Sequence, residues 1–394
     1  MNPAARVQTA IELLDQIINA CRDNGAAADR IITEGMKQRR YAGSKDRRAI
    51  RELVYRAIRR CGDLPENGRA AMVGLAQDDP ELAAQFTGVA YGPAIIAADE
   101  ATAPASLVPL WLQPMLAPTL PASEWPALLE RAPLDVRINP LRADDAALAA
   151  LAEEWSAIPG LPDARRVAND ASPAMQALME QGLIEVQDAG SQLVTLACPA
   201  KPGANVIDLC AGAGGKTLAL AAMMENNGHI IGCDTDRARL SRLMPRAERA
   251  GVTIAETRLL NPGRELDALH DVCGAADAVL IDAPCSGMGT WRRNPEGRWR
   301  LTPARLERLN RTQRSLLEVG AELVRPGGAL IYVVCSLLDV EGADAVDDFL
   351  QGRRDWEVDP LDLPLGAVHR SGWRLTPGRD GTDGFFVARL KRAW

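Results

Sequence analysis

Cys285 lies in the string DAPCSG, residues 282–287, and Cys335 in VVCS, residues 333–336, at the end of an apolar run. Both follow a glycine-rich turn, DLCAGAGGKT, residues 208–217. A thiol at a strand end, placed to meet a bound base, can attack an electron-poor ring carbon. A second thiol beside it can assist the later elimination. A glycine turn between strand and helix can hold a cofactor that supplies a group in between. The other cysteines are Cys21, Cys61, Cys198, Cys210, Cys233 and Cys273. The cysteines form no CxxC pair and no zinc-type cluster with the three histidines, so no metal centre is expected. Cysteines in apolar, strand-like runs are ordinarily reduced, buried small hydrophobes. Cys285 and Cys335 differ because polar, turn-forming residues follow each directly.

The elements around these thiols must bring them together. From Gly203 onward strands and helices alternate, which predicts a doubly wound parallel sheet, an α/β fold. The candidate strands are NVIDLC, HIIGCD, VTIAE, AVLID and GALIYVVC, with FFVARL as a C-terminal strand. Helices are expected over 217–224 and 237–250. In such a sheet the carboxyl ends of neighbouring strands face one crevice. Cys210, Asp234, Asp282 and Cys335 would all look into it.

The turn itself admits two readings. GKT closes a P-loop signature, but a P-loop needs glycine where Cys210 stands. The alternative is a nucleoside cofactor at the first strand-to-helix turn. Gly212, Gly214 and Gly215 would let the backbone approach it, and Asp234, ending HIIGCD, would bond its ribose hydroxyls.

A chain of 394 residues, 47% apolar and 25% charged, is long enough for two or three globular domains. No apolar run approaches the eighteen or so residues of a membrane span, and MNPAARVQTAIELL shows no signal-peptide pattern. A cytoplasmic monomer is expected. The net charge of −7 argues against a polyanion partner, but the distribution argues for one. Basic residues concentrate in 37–60, including Arg39, Arg40, Lys45, Arg47 and Arg48, and again in 292–314, including Arg292 and Arg293.

Residues 4–60 read as helices. Val7, Ala10, Ile11, Leu14, Ile17 and Ile18 form one apolar stripe, and Ile50, Leu53, Val54, Ala57 and Ile58 another. Ser44 is the expected N-cap of the second. Residues 62–130 read as the end of a helical domain and a connection. DVRIN, residues 135–139, and LIEVQD, residues 183–188, read as strands, with a helix over 146–155. The expected domains are 1–130, all-α; 131–190, a small α+β module; and 191–394, the doubly wound domain.

DLCAGAGGKT, DAPCSG, RRNPEGRW (292–299), YVVCSLLDVEG (332–342) and DGFFVARL (383–390) resemble, in order, the motifs of the RsmB/Nop/Sun family of RNA (cytosine-5) methyltransferases. QDAGSQLV, residues 187–194, resembles that family's lead-in to its catalytic domain. RRYAGSKDRR, residues 39–48, resembles part of the NusB-like helical RNA-binding domain of the ribosomal-RNA branch. The resemblance implies a Rossmann-like class I methyltransferase domain that uses S-adenosylmethionine. It implies Cys335 as the nucleophile on C6 of a cytosine, Cys285 as the releaser, and Asp282 on the base. The cofactor would be lined by Cys210, Ala211, Gly212, Ala213, Gly214, Gly215 and Lys216, with Asp234 on the ribose and Asn261 near the adenine. Asp282 would also border it. Arg292, Arg293 and Trp299 would contact phosphate or stack on a base.

Three positions depart from the family pattern. Asn261 stands where an acid is common, Val334 where a threonine precedes the nucleophile, and Gly342 where an asparagine follows Glu341. The implied function is methylation of cytosine C5 in RNA, small-subunit ribosomal RNA foremost. The alternatives are a transfer-RNA cytosine-5 methyltransferase and a non-catalytic RNA-binding or assembly factor on the same fold.

Overall fold

The computed structural model describes residues 1–23, 25–143, 155–168 and 172–394. The helix expected over 146–155 lies outside these residues except for Trp155, which opens a strand. Two compact units divide the chain, Met1–Glu130 with Thr290–Arg305, and Arg131–Gly289 with Leu306–Trp394. Among the described residues no helix is long and apolar enough to cross a membrane.

The first unit is helical. Asn2 caps the helix Pro3–Arg22 by accepting the Ala5 N–H at 2.7 Å. Its expected apolar stripe is buried throughout. The helix Ser44–Arg60 buries Ile50, Val54, Ala57 and Ile58. Its N-cap is Gly43, not Ser44. Asp46 takes over the capping work from inside the first turn, accepting from the Gly43 N–H at 3.3 Å and from Arg6 at 2.8 Å.

Residues 290–305 belong to this helical unit rather than to the doubly wound domain in which the sequence reading leaves them. The reason is visible at the helix ends, where backbone groups lack intrahelical partners. Arg298 donates to the carbonyls of Ile58 and Leu107, and Arg300 to those of Ala20, Gly25 and Ala26. Glu296 accepts the Ala28 N–H at 2.9 Å, at the start of the helix Ala28–Gln38. Cations thus meet helix C-termini and a carboxylate meets an N-terminus, as the helix dipole favours.

The second unit holds two sheets. In the smaller, β1 (Leu134–Ile138), β2 (Trp155–Ile158), β3 (Leu161–Val167) and β4 (Ile184–Val186) pair antiparallel in the order β2-β3-β1-β4. The larger sheet has nine strands among the described residues. They are β5 (Ala204–Asp208), β6 (Gly228–Asp234), β7 (Ala255–Leu259), β8 (Ala276–Asp282), β9 (Val324–Val334), β10 (Trp356–Val358), β11 (Ala367–His369), β12 (Gly372–Leu375) and β13 (Phe385–Arg392). Their order is β11-β12-β13-β9-β8-β5-β6-β7, with β10 beside β13. Strands β5 to β9 run parallel, and β13 closes antiparallel on β9. The doubly wound expectation holds. Ile158, Leu161 and Ala164 of the small sheet share one apolar cluster with Val206 and Ile331 of the large one. The two sheets therefore form one compact unit, not two.

β7 begins three residues later than the expected VTIAE strand. Gly251, at φ +73°, ends the helix Leu243–Ala250, and the Val252 N–H turns back to the Ala247 carbonyl at 2.8 Å. The helix expected over 237–250 is also broken, into Arg237–Leu240 and Leu243–Ala250.

Candidate active site

From β5 the chain winds outward through β6 and β7, then returns to place β8 on the other side of β5. This reversal opens a crevice at the carboxyl ends of β5 and β8. Register sets its contents. Asp282 pairs with Val333, so the ends of β8 and β9 lie side by side. The Ala283 N–H donates to the Val333 carbonyl at 2.9 Å, and the Gly289 N–H to the Cys335 carbonyl at 3.0 Å. The Cys285 and Cys335 sulfurs come within 3.3 Å. Both residues are half-buried.

The two thiols are not equivalent. The hydrogen bond to Cys335, then burial, then the charges of Cys335 and Glu341, push the Cys285 thiol well up. Either sulfur can donate in this contact, and the rise of the Cys285 thiol favours Cys285 as the donor. Burial also pushes Cys198 up to about 12 and Cys21 up to about 11, and among the described residues neither has a second thiol beside it.

Asp282 is paired. Lys216, from the first turn of the helix Gly215–Met223, places Nζ 2.6 Å from Asp282 Oδ2. Burial works against the lysine charge, but Asp282, Asp208 and Cys335 outweigh it and hold the ammonium above its ordinary value. Lys216 also stands 5.8 Å from the Phe385 ring centroid. The sequence reading places Lys216 on the cofactor; its partner here is Asp282.

The glycine turn is built as expected of a ligand cradle. Gly214 caps the helix at φ +89°, a left-handed conformation that favours glycine. Gly212 donates its N–H to Asp234 Oδ2 at 2.8 Å, and Asp234 Oδ1 accepts the Asp236 N–H at 2.7 Å. Ala211 donates to the Cys233 carbonyl at 2.7 Å, and Ala213 accepts from Arg246 at 2.7 Å. Cys210 is half-buried beside them. A side chain added at Gly215 would meet nothing within 4 Å, so this backbone faces open space. Asn261 is exposed in the turn after β7, joined to the end of β6 by the Leu260 N–H on the Asp234 carbonyl at 2.9 Å. Behind the turn, Asp208 is fully buried. Thr217 bonds its Oδ2 at 2.7 Å, while Oδ1 has no partner. Burial is the main reason its carboxyl rises to about 7, with the Asp282 and Asp234 charges adding to it.

The residue that sequence reasoning missed is Glu341, noted there only as the neighbour of Gly342. It is 0% exposed. Its Oε1 accepts the Ser286 N–H at 2.7 Å and the Gln313 amide at 3.1 Å. Its Oε2 accepts from Ser336 Oγ at 2.5 Å and from Ser286 Oγ. An acid six residues past the nucleophile was the only available signal.

The departures at Val334 and Gly342 have packing explanations. Val334 is buried in an apolar cluster with Ile281, Tyr332 and Phe386. A Cβ at Gly342 would sit 2.8 Å from the Phe386 ring, which excludes asparagine while that ring stays in place.

The candidate RNA residues divide. Arg40, Lys45, Arg47 and Arg48 are exposed, with Tyr41 between them 71% exposed. Arg39 is instead tied to Glu12 at 2.6 Å. Trp299 is only 4% exposed, packs in the helical core, and donates Nε1–H to the Cys61 carbonyl at 2.8 Å. It offers no face to a base, so the stacking role expected of it is withdrawn. Arg292 is likewise buried, which removes it from the phosphate contacts, and Arg293 is half-buried.

The profile of the family described as "16S rRNA methyltransferase RsmB/F" matches residues 195–391. The chain is 35% identical over 302 residues to the "Probable ribosomal RNA small subunit methyltransferase B" of Synechocystis, covering 72% of this chain and 67% of that one. It is 34% identical over 209 residues to the ribosomal RNA small subunit methyltransferase B of Thermus thermophilus, covering 53% of this chain and only 50% of that one. A solved structure of a methyltransferase homolog protein from Pyrococcus horikoshii superposes with a TM-score of 0.60 at 28% identity, covering 68% and 89% of the two chains.

Proposed function

Because the chain belongs to the RsmB/F family of 16S rRNA methyltransferases, whose cofactor is S-adenosylmethionine, we propose that it methylates C5 of a cytosine in small-subunit ribosomal RNA through a Cys335–C6 adduct. The observation that carries this reading is the pair of sulfurs 3.3 Å apart at neighbouring strand ends, beside the Lys216–Asp282 ion pair.

Cytosine C5 is a poor nucleophile until an adduct breaks the ring's conjugation. The Cys335 thiolate adds to C6, and the displaced electron pair moves through the ring to N3, which takes a proton from solvent. Asp282, with Oδ2 held by Lys216, keeps Oδ1 for the protonated base edge. C5 can then accept a methyl group, which S-adenosylmethionine supplies as an electrophilic sulfonium methyl. Loss of the C5 proton to a solvent water restores the C5–C6 double bond as the C6–S bond breaks, N3 gives its proton back to solvent, and Cys335 leaves as thiolate. The Cys285 S–H, aimed at that sulfur, stabilises the departing charge.

The cradle suits the cofactor. Open space at Gly215 would admit it, and Cys210, Ala211, Gly212, Ala213, Gly214 and Lys216 would line it. Asp234 would face the ribose and Asn261 the adenine, with Asp282 at the methyl end. Asp208 Oδ1 is a buried acceptor without a partner in the same turn. The target base must leave its stack to reach the crevice. In the helical unit, Arg40, Lys45, Arg47 and Arg48 would hold RNA phosphates. Residues 1–130 with 290–305 would serve as the RNA-binding domain, 131–190 as an accessory module and the rest of 191–394 as the catalytic domain.

Bisulfite sequencing of ribosomal and transfer RNA from cells with and without the gene tests this. Loss of one 16S 5-methylcytosine is expected. Loss confined to transfer RNA would move the substrate, and no loss at all would favour a non-catalytic assembly factor.

A further inference from the structure

We propose that Glu341 is a positioning residue that clamps the Cys285 loop to the Cys335 loop and so sets the spacing of the two sulfurs. This rests on the methyltransferase reading for its catalytic meaning, but its geometry stands apart from it.

The two thiols sit on separate turns, after β8 and after β9. Backbone bonds join those turns at Ala283 and at Gly289, on either side of Cys285. Glu341 fills the gap between. Ser286 directly follows Cys285, and it gives both its N–H and its hydroxyl to the carboxylate. Ser336 directly follows Cys335, and it gives its hydroxyl at 2.5 Å. The two hydroxyl oxygens are 3.2 Å apart, so one carboxylate grips equivalent positions on both turns. Gln313 completes the clamp from a neighbouring helix. Its amide donates to Glu341 at 3.1 Å and to the Pro284 carbonyl at 2.9 Å, immediately before Cys285. The Glu341 backbone is held too, since the Tyr332 hydroxyl donates to its carbonyl at 2.5 Å.

Burying a carboxylate is costly unless its oxygens are fully hydrogen-bonded. Four donors meet that need here, and all four come from residues that flank or brace the cysteines. An apolar side chain of similar volume would commonly serve stability as well. What it could not do is hold Ser286 and Ser336 to one point.

The carboxylate also acts on Cys285 as a charge. It opposes ionisation of that thiol, together with Cys335. Tyr332 on β9 and Cys210 on the glycine turn lie in the same neighbourhood, with Arg314 the cation behind them. Lys216 faces Cys335, and Asp282 ends the strand that leads to Cys285. Glu341 thereby adds its charge to the Cys335 contact and the burial that already disfavour ionisation of Cys285.

The test uses the full chain. In a Cys335→Ala background, Cys285 alkylation by iodoacetamide is followed against pH with and without Glu341→Gln. Glutamine keeps the reach and removes the charge, so alkylation at fixed pH should quicken by roughly threefold or more. With Cys335 intact, Ser286→Ala combined with Ser336→Ala leaves Glu341 charged but cuts its tethers. That variant should lose about tenfold or more in kcat with KM for RNA little changed. Glu341→Asp, one methylene short, should keep the wild-type alkylation profile yet share the kcat loss. Unchanged Cys285 alkylation in Glu341→Gln, or an unchanged kcat in the double serine variant, overturns the proposal. If Glu341→Gln does not fold, the serine pair decides. If the wild-type chain transfers no methyl group, the proposed function fails while alkylation still decides the clamp.

Discussion

Replacing Cys285 with alanine should separate adduct formation from adduct release. The two sulfurs lie 3.3 Å apart, and burial and neighbouring charge favour Cys285 as the S–H donor of the pair. Its S–H therefore points at the sulfur that must leave C6. A hydrogen bond to a charged group contributes about 1.5–3 kcal/mol. A thiol is a weak donor, so the lower end applies. At about 1.4 kcal/mol per decade of rate, losing the bond slows release about tenfold. Attack by Cys335 needs no donor on its sulfur, so adduct formation should change less. The assay is a denaturing gel after incubation with ribosomal RNA and S-adenosylmethionine, chased with excess unlabelled RNA. A shifted covalent species should accumulate and decay about tenfold more slowly than in the wild type. Wild-type decay with no accumulation would refute the assignment of Cys285 to the leaving sulfur.

Three other outcomes are expected. Trp299→Phe removes the N–H that satisfies the Cys61 carbonyl and leaves a void in the helical core, so it should cost about 1–3 kcal/mol of stability by chemical denaturation with RNA affinity unchanged; weaker RNA binding at full stability would return Trp299 to the RNA surface. Lys45→Ala with Arg48→Ala should do the reverse, leaving the melting temperature alone and flattening the salt dependence of RNA binding by about 0.7 per lost phosphate contact; an unaltered slope would remove this turn from the interface. Asp208→Asn addresses pH. The folded carboxyl titrates near about 7 against an ordinary value of 3.8, so the native state holds its proton more tightly and stability is lost as pH rises between those values. The asparagine variant should gain on the wild type across that window, by roughly 4 kcal/mol at most and level above it, in denaturation at stepped pH; a gain that shrinks as pH rises would contradict the burial of an unpaired carboxylate.

The catalytic crevice was legible in the sequence because a parallel sheet delivers strand ends to one place. Apolar runs ending in Cys210, Asp234, Asp282 and Cys335 were enough to locate it. What periodicity could not show was partner choice. Lys216 and Asp282 lie on different elements, and only the fold, which sets the start of the helix Gly215–Met223 near the end of β8, makes them an ion pair. Glu341 was invisible for the same reason, since its donors come from three separate stretches of chain. The basic run after Arg292 misled most. Arginine at a phosphate and arginine at a helix C-terminus look alike in a sequence, because both answer exposed negative oxygen. Arg298 and Arg300 are engaged with carbonyls, and Trp299 between them is core. Gly251 shows a smaller instance, where a left-handed helix end delayed β7 by three residues.

The central claim is that Cys335 makes a covalent bond to C6 so that C5 of cytosine receives the methyl group. Incubating 16S ribosomal RNA with methyl-labelled S-adenosylmethionine and the wild-type or Cys335→Ala chain, then separating the digested nucleosides, tests it most directly. Label should appear in 5-methylcytidine with the wild-type chain and be absent with Cys335→Ala, while that variant still binds the cofactor. Label in another nucleoside, or undiminished 5-methylcytidine from Cys335→Ala, would contradict the account.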